Sequence, residues 1–463
     1  MRGRNRLDRG QAIVVDIGKT LSKVSLWTRD GRCLGKVTRA NQPQAGGAYT
    51  ALDTAATAEW LITALAGFAD HPVEAIIPVA HGAAVAGIRD GALAFLPPDY
   101  EWQPPAPQAT AYAAQRDAFA ITGSPLLPGG LNIGSQLHAL EALDRAALHG
   151  VSLLPYAQYW AWLLSGALVS EVTSLGCHSD LWAPASTCFS PLAERRGWAG
   201  RFAPLAQAGD VVGTLRADLA AQTGLLRNVR IHAGLHDSNA ALLAARAFRE
   251  VSGQEATVLS TGTWFIAMRS PAAPVDLAAL PETRDCLVNV DAFGQPVPSA
   301  RFMGGREIEL LGKRIDRPGL DGLADVLLND AMVLPSQVPG CGPFPQSTGR
   351  WINYPAASDE RTAAIALYAA LIADASLDLI GASGALLIEG RFAASELFTR
   401  ALATLRPGSA VHIASAEADV AFGALRLIWP DLTPASALTR VTPLERDLNS
   451  YRDEWYDDMA AFA

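Results

Sequence analysis

Four short stretches of this chain combine residue types that could hold a phosphate chain and move a proton. The first is Val15-Asp16-Ile17-Gly18-Lys19-Thr20-Leu21-Ser22-Lys23. Gly18 permits a tight turn whose backbone N–H groups, with the Thr20 and Ser22 hydroxyls, could receive phosphate oxygens. Asp16, at the end of a β-rich run, could hold Mg²⁺ directly or through water, and Lys19 or Lys23 would offset phosphate charge. The same residues also suit an ordinary hairpin, and the GxxxxGK[ST] pattern of a Walker loop is absent. The second stretch, Ser260-Thr261-Gly262-Thr263-Trp264, sets two threonines around a glycine. Phosphate clamps and plain β-turns share that composition.

The third stretch is Gly234-Leu235-His236-Asp237-Ser238-Asn239-Ala240. A carboxylate at Asp237 could accept the proton of a hydroxyl attacking a γ-phosphate, or could simply cap a helix. His236 reads as a loop histidine before it reads as a catalyst. The fourth pairs Ala385-Leu386-Leu387-Ile388-Glu389-Gly390-Arg391-Phe392 with a later segment that carries Ala421, Gly423 and Ala424. A strand running through glycine into a helix can bring backbone close to a flat adenine. Small residues on the later helix allow that approach and equally allow ordinary helix packing.

Such residues need elements to position them. Ala12–Val15 and Lys23–Trp27 are β-rich and flank Asp16–Ser22, predicting a hairpin. Thr257–Ser260 and Trp264–Ala267 flank the second glycine turn in the same way, about half a chain later. Two such hairpins predict a duplicated α/β architecture, cut near residue 250, with each half giving one turn to a shared cleft. Helices are expected at Ala55–Phe68, Tyr156–Leu164, Ser238–Ala247, Arg361–Ile380 and Glu417–Trp429. Short strands are expected at Glu74–Val79, Arg230–Gly234, Ala385–Glu389 and Ala410–Ala414. Glu74–Val79 runs into Ala80-His81-Gly82. Pro97, Pro98, Pro104, Pro105 and Pro107 mark a loop.

The totals bound the partners. The 463 residues suit two or three domains, and 50% apolar with 18% charged residues leaves ample core. A net charge of −9 argues against nucleic acid or an anionic membrane as partner. No apolar run approaches the ~18 residues of a membrane span. The four arginines of Met1–Gly10 precede only a short apolar run, which is no secretory signal. Five dispersed cysteines without a CxxC pair suggest reduced thiols in a cytoplasmic protein rather than a disulfide framework or a zinc site.

In order and spacing the four blocks resemble the FGGY carbohydrate kinase family, of the actin-like ATPase fold, from about Ile13 to Trp429. The resemblance implies an α/β chain of two ribonuclease-H-like domains around a central cleft. Residues 1–250 would bind the sugar and carry the first phosphate motif, and 251–463 would bind the nucleotide. It implies Asp16 and Asp237 near Mg²⁺, Asp237 as general base, and Thr261, Gly262 and Thr263 as the second phosphate motif. Gly390, Arg391 and Gly423 would lie in the adenosine region. Ile76-Ile77-Pro78-Val79-Ala80-His81-Gly82 looks like the strand and loop bordering the family's sugar pocket. Tyr159-Trp160-Ala161-Trp162-Leu163-Leu164-Ser165-Gly166, followed by Glu171, looks like its aromatic–Leu–Thr–Gly stretch.

Three departures stand out. Glu389-Gly390-Arg391 replaces a frequent Gly-Gly run, and Lys19 stands where Thr or Ser is frequent. The W-x-D-x-R-like sugar stretch has its nearest counterpart in Asp99-Tyr100-Glu101-Trp102. The expected reaction is ATP-dependent, Mg²⁺-assisted phosphorylation of a ketose (xylulose, ribulose, fuculose or rhamnulose) or a small polyol, and a homodimer is allowed for. An assembly or chaperone ATPase of the same fold would need neither a general base nor sugar loops. A sugar-sensing regulator would carry a DNA-binding segment, and Met1–Gln11 is too short for one.

Overall fold

The computed structural model describes residues 10–312, 314–316, 319–414 and 420–461. They form two compact units. The first comprises 10–247, 288–296 and 420–434, and the second comprises 248–287, 297–414 and 435–461. A single cut near residue 250 is thus replaced by a division in which two later segments pack with the first unit.

The first unit is built on a sheet ordered Val211–Thr214, Arg230–His232, Val73–Ala80, Gln11–Ile17, Leu21–Thr28, Cys33–Ala40. Gln11–Ile17, apolar from Ala12 to Val15, is buried along its whole length, as a strand between two neighbours should be. Leu21–Thr28 pairs with it antiparallel and Val73–Ala80 parallel. Cys33–Ala40, at the edge, is largely exposed and carries Lys36 and Arg39, charges that discourage further pairing. The hairpin turn is shorter than the composition predicts. Asp16 and Ser22 belong to its strands, and only Gly18–Thr20 turn.

The expected strand Arg230–Gly234 breaks after His232 and resumes at Leu235–His236. Ile231 pairs with Ile76 and Leu235 with Val79, so four steps on one strand oppose three on the other, an added residue of the β-bulge kind. The bulge lies opposite Pro78, which has no N–H to give the ladder. Gly234 takes φ +79°, and a Cβ there would lie 2.0 Å from the Pro78 carbonyl oxygen. The bulge delivers the chain into the helix Asp237–Ala245. Asp237 is therefore the first helical residue, and His236 occupies the N-cap position.

The second unit repeats this plan. Ala256–Thr261 and Phe265–Ser270 form an antiparallel hairpin extended by Pro296–Phe302. Ala385–Gly390 lies parallel on the other side, followed by Ala410–Ile413. Both units thus carry the duplicated α/β topology of the actin-like ATPase fold. Contrary to the expectation that no apolar run approaches a membrane span, one described helix, Ser358–Leu379, is long and apolar enough by length and composition, and it is mostly buried within this unit.

Two smaller expectations change. Pro107 does not extend a loop but sits in the first turn of the helix Ala106–Ala113, where its missing N–H costs nothing. The late small-residue helix spans Val420–Ile428; Glu417, Ala418 and Asp419 lie outside the described residues, as do residues 1–9. That helix packs on Asp237–Ala245 in the first unit.

Candidate active site

Three parallel strands of the first unit, Gln11–Ile17, Val73–Ala80 and Leu235–His236, end at one edge of the sheet. In open α/β sheets this carboxyl edge is where ligands collect. Here it gathers the turn Gly18–Thr20, the loop His81–Gly82 and the helix start at Asp237. The His81 N–H donates to the Ile17 carbonyl at 3.1 Å, fastening the loop to the turn. A Cβ on Gly82 would lie 2.7 Å from His236 Nε2, so this position must stay bare for the two histidine loops to approach.

The hydrogen bonds around Asp237 fix its chemistry. Asn239 Nδ2 donates to His236 Nδ1 at 3.4 Å, so the His236 ring presents Nε2–H to Asp237 Oδ1, 3.1 Å away. Burial pushes His236 down to about 4, so the contact is a hydrogen bond from a neutral imidazole and not an ion pair. The Ser238 N–H donates to the same Oδ1 at 2.7 Å. These contacts all fall on Oδ1 and none on Oδ2. Burial raises the Asp237 carboxyl above its usual range, against the opposing pull of His81, Ser238 and Lys23. The side chain nevertheless remains 30% exposed. Burial also holds the His81 imidazole below its usual value, and its Nδ1–H donates to the Gly82 carbonyl at 2.8 Å.

Around this centre the expected residues divide. Asp16 and Lys23 are cross-strand partners, and their side chains meet at 3.2 Å. Thr20 is exposed at the turn. Ser22, expected at the phosphates, is fully buried and exchanges hydrogen bonds with Asn41 in both directions. Lys19 does not reach out to solvent. It pairs with Asp99, lies 3.4 Å from Glu101 Oε2, and sits over the Tyr100 ring at 5.1 Å. Asp99 is 1% exposed, and its Oδ1 accepts the Glu101 N–H at 2.9 Å. Tyr100 meets His81 edge-on at 5.6 Å, and burial with Glu101, Asp99 and Asp237 nearby pushes its hydroxyl up to about 12. A small pocket runs beneath this loop between Gly18, Lys19, Asn41, His81, Asp99 and Tyr156.

A buried layer behind the edge was not singled out from the sequence. Gln158 Nε2 donates to the carbonyls of Ala233 and Gly234, and Thr173 Oγ1 accepts the His236 N–H at 2.9 Å. Glu171, fully buried, accepts from the Thr173 N–H and hydroxyl. Burial pushes its carboxyl up to about 8, so it is largely protonated at neutral pH. These side chains clamp both sides of the bulge before Asp237. Glu171 was visible only as the acid after the aromatic stretch, and nothing in its spacing marks the link through Thr173 to His236.

In the second unit the Thr261 hydroxyl donates to the Glu389 carbonyl and accepts the Phe392 N–H at 3.1 Å. It fastens the hairpin to the Gly390 turn, while Gly262 and the exposed Thr263 form the turn itself. Gly390 has φ +84°, and a Cβ there would lie 2.3 Å from the Thr261 carbonyl oxygen. Arg391 is held by Asp316 at 3.2 Å and Glu309 at 3.7 Å. Hydrogen bonds from Arg314 and Arg391 bring Asp316 down to about 2. An open pocket of about 350 Å³ lies nearby between Ile315, Gly319, Ser358, Thr362 and Ser395. Gly423, expected in the adenosine region, lies on the helix Val420–Ile428 of the first unit. A Cβ on it would lie 1.7 Å from the Ala240 carbonyl oxygen, so it serves the contact between the Val420–Ile428 and Asp237–Ala245 helices.

Comparison with known proteins bears on this arrangement directly. Residues 253–436 match the family model described as carbohydrate kinase FGGY, C-terminal domain. A carbohydrate kinase from Novosphingobium aromaticivorans is 55% identical, with a TM-score of 0.95 over 98% of this chain and 99% of that one. A xylulose kinase from Rhodospirillum rubrum is 18% identical, with a TM-score of 0.78 over 97% of this chain and 98% of that one. Plasmodium falciparum glycerol kinase with ADP is 10% identical, with a TM-score of 0.77 and 98% of each chain covered. No curated protein matches. With more than half its residues shared with a carbohydrate kinase along nearly its full length, the chain belongs to the FGGY carbohydrate kinase family.

Proposed function

We propose that this carbohydrate kinase moves the γ-phosphoryl group of ATP to a hydroxyl of a ketose or small polyol, with Asp237 Oδ2 as general base. The observation that carries the reading is that one oxygen of a half-buried carboxylate is left available at the edge shared by the first turn and the His81 loop. As the substrate oxygen bonds to the γ-phosphorus, the bond from that phosphorus to the β–γ bridging oxygen breaks and ADP leaves. The hydroxyl proton passes to Asp237 Oδ2. A carboxyl held above its usual range accepts that proton more readily than an ordinary aspartate does.

His81, Gly82, Asp99, Tyr100 and Glu101 are assigned to the substrate's hydroxyls and ring face. The turns Gly18–Thr20 and Gly262–Trp264, one in each unit, are assigned to the phosphates. Ser22 and Thr261 shape those turns, Lys23 offsets phosphate charge, and Gly390 with Arg391 borders the adenosine. Kinases of this family use ATP, and the donor set here suits Mg²⁺, which usually needs one or two carboxylates beside water and phosphate oxygens. Asp16, at its strand end beside Gly18, would hold the ion with Asp237 as the second carboxylate. When bound it supplies charge neutralisation between the β- and γ-phosphates.

The test is a coupled ADP-release assay against xylulose, ribulose, fuculose, rhamnulose, glycerol and related polyols. ADP release that one of these accelerates well above the sugar-free rate is expected. ADP release indifferent to every one of them would overturn the reading.

A further inference from the structure

Lys19 stands in the turn assigned to phosphate, yet its side chain is spent on the loop assigned to the sugar. Its ammonium is held by Asp99, with Glu101 Oε2 at 3.4 Å and the Tyr100 ring beneath it at 5.1 Å. Both members of the main pair are largely shut off from water, at 14% and 1% side-chain exposure. Such a pair is screened less than one on the surface, and its geometry is correspondingly firmer. Both anchors are also fixed at the backbone. The Gly18 N–H donates to the Leu21 carbonyl at 3.1 Å, and the Asp99 N–H donates to the Thr50 carbonyl at 3.0 Å. The side chain of Lys19 is thus a direct tie between the tip of the turn and a loop 80 residues further along the chain.

We infer that Lys19 is a positioning residue that couples sugar binding to nucleotide binding, an inference that rests on the kinase reading above. A carboxylate has about four acceptor positions. Asp99 gives one oxygen to Lys19 and the other to the Glu101 N–H, which leaves acceptor capacity for a substrate hydroxyl. A hydroxyl bound there takes up part of the Asp99 charge and shifts where the ammonium rests. Because the ammonium is tethered to the turn by one flexible stem, the shift is felt at Gly18–Thr20, where the phosphates are assigned. Coupling of this kind is reciprocal, so the sugar must change nucleotide affinity by the factor by which the nucleotide changes sugar affinity.

The experiment is calorimetric titration of xylulose, ribulose, rhamnulose, fuculose and glycerol into the intact protein, with and without saturating Mg²⁺ and a non-hydrolysable ATP analogue. The tightest binder is kept. A several-fold coupling factor, about five or more, is expected in the unsubstituted protein, the lower end of the usual range. Lys19→Met keeps an unbranched apolar side chain and removes the charge, and should bring the factor close to one. Lys19→Arg should restore most of it. Asp99→Asn keeps the bond to Glu101 and should lose the coupling as Lys19→Met does, the double variant being no worse than either single one. Melting curves of all four variants identify any that fail to fold, and the remaining ones decide. Coupling that persists in folded Lys19→Met or Asp99→Asn overturns the inference alone. Failure of every sugar to bind the unsubstituted protein overturns the kinase reading and this inference with it.

Discussion

Replacing Asp237 by Asn isolates one oxygen. Asp237 Oδ1 accepts the Ser238 N–H at 2.7 Å and faces His236 Nε2 at 3.1 Å, and an amide oxygen in the same place accepts both. The N-cap is His236, so the exchange leaves the cap residue untouched. A carboxylate in the first helical turn is worth about 0.3–1 kcal/mol through the helix dipole, and its loss is offset by removing a poorly solvated charge. The sign of that offset follows from the raised folded pKa. A raised carboxyl contributes stability that is fully present below its unfolded value and is lost as pH rises through its folded value. At neutral pH the Asn variant should therefore melt within a few degrees of the parent or slightly above it. What it loses is Oδ2 as proton acceptor, a role worth about 10²–10⁴ in rate, or roughly 2.7–5.4 kcal/mol of barrier. Steady-state kinetics should show that loss in kcat with the ATP KM little changed. In the parent, kcat/KM should rise with pH as Asp237 gives up its proton, and the Asn variant should lack that limb. Turnover near the parent's in a well-folded Asn variant would refute the assignment. So would a loss of turnover that merely tracks a loss of folded protein.

Two further outcomes are expected elsewhere. Glu171 is fully buried with its carboxyl pushed from 4.5 to about 8, so the folded state keeps a proton that the unfolded state releases. Stability should then fall by about 1.4 kcal/mol per pH unit between roughly pH 5 and pH 8, and Glu171→Gln should flatten that slope in denaturant titrations run across the range. An unchanged slope would remove Glu171 as its source. Gly423→Ala places a methyl where the Ala240 carbonyl oxygen lies 1.7 Å away, so the helices must separate at a cost of about 1–3 kcal/mol. The fraction that stays folded should keep its ATP KM, and a raised ATP KM at normal stability would return Gly423 to the nucleotide site.

Much of this was legible in the chain because local chemistry and global fold agree. The two Gly-centred hairpins, each followed later by a short apolar strand, announced the duplicated plan. Asp237 could be placed between a strand and a helix, but the sequence left helix capping open beside proton transfer, and only the structure shows that His236 holds the N-cap position. Where reading from residues fell short, the missing information was geometric. Ser22 and Thr261 carry the hydroxyls a phosphate would want, yet their neighbours Asn41 and Glu389 claim them across the sheet. Lys19 looks like a phosphate counter-charge until Asp99 is seen beside it. The break opposite Pro78, which aims Asp237, needs the pairing register of two strands about 155 residues apart in the chain, and no window of sequence contains it.

Transfer of phosphorus from ATP to a sugar hydroxyl can be followed directly by ³¹P NMR. The protein, Mg²⁺, ATP and the sugar that best accelerates ADP release are incubated together and the spectrum is recorded over time. The γ-phosphate resonance should disappear as a phosphomonoester resonance grows, one sugar phosphate for each ADP, and the Asp237→Asn protein should show neither on the same timescale. Inorganic phosphate accumulating in place of a sugar phosphate would rule out the sugar as acceptor.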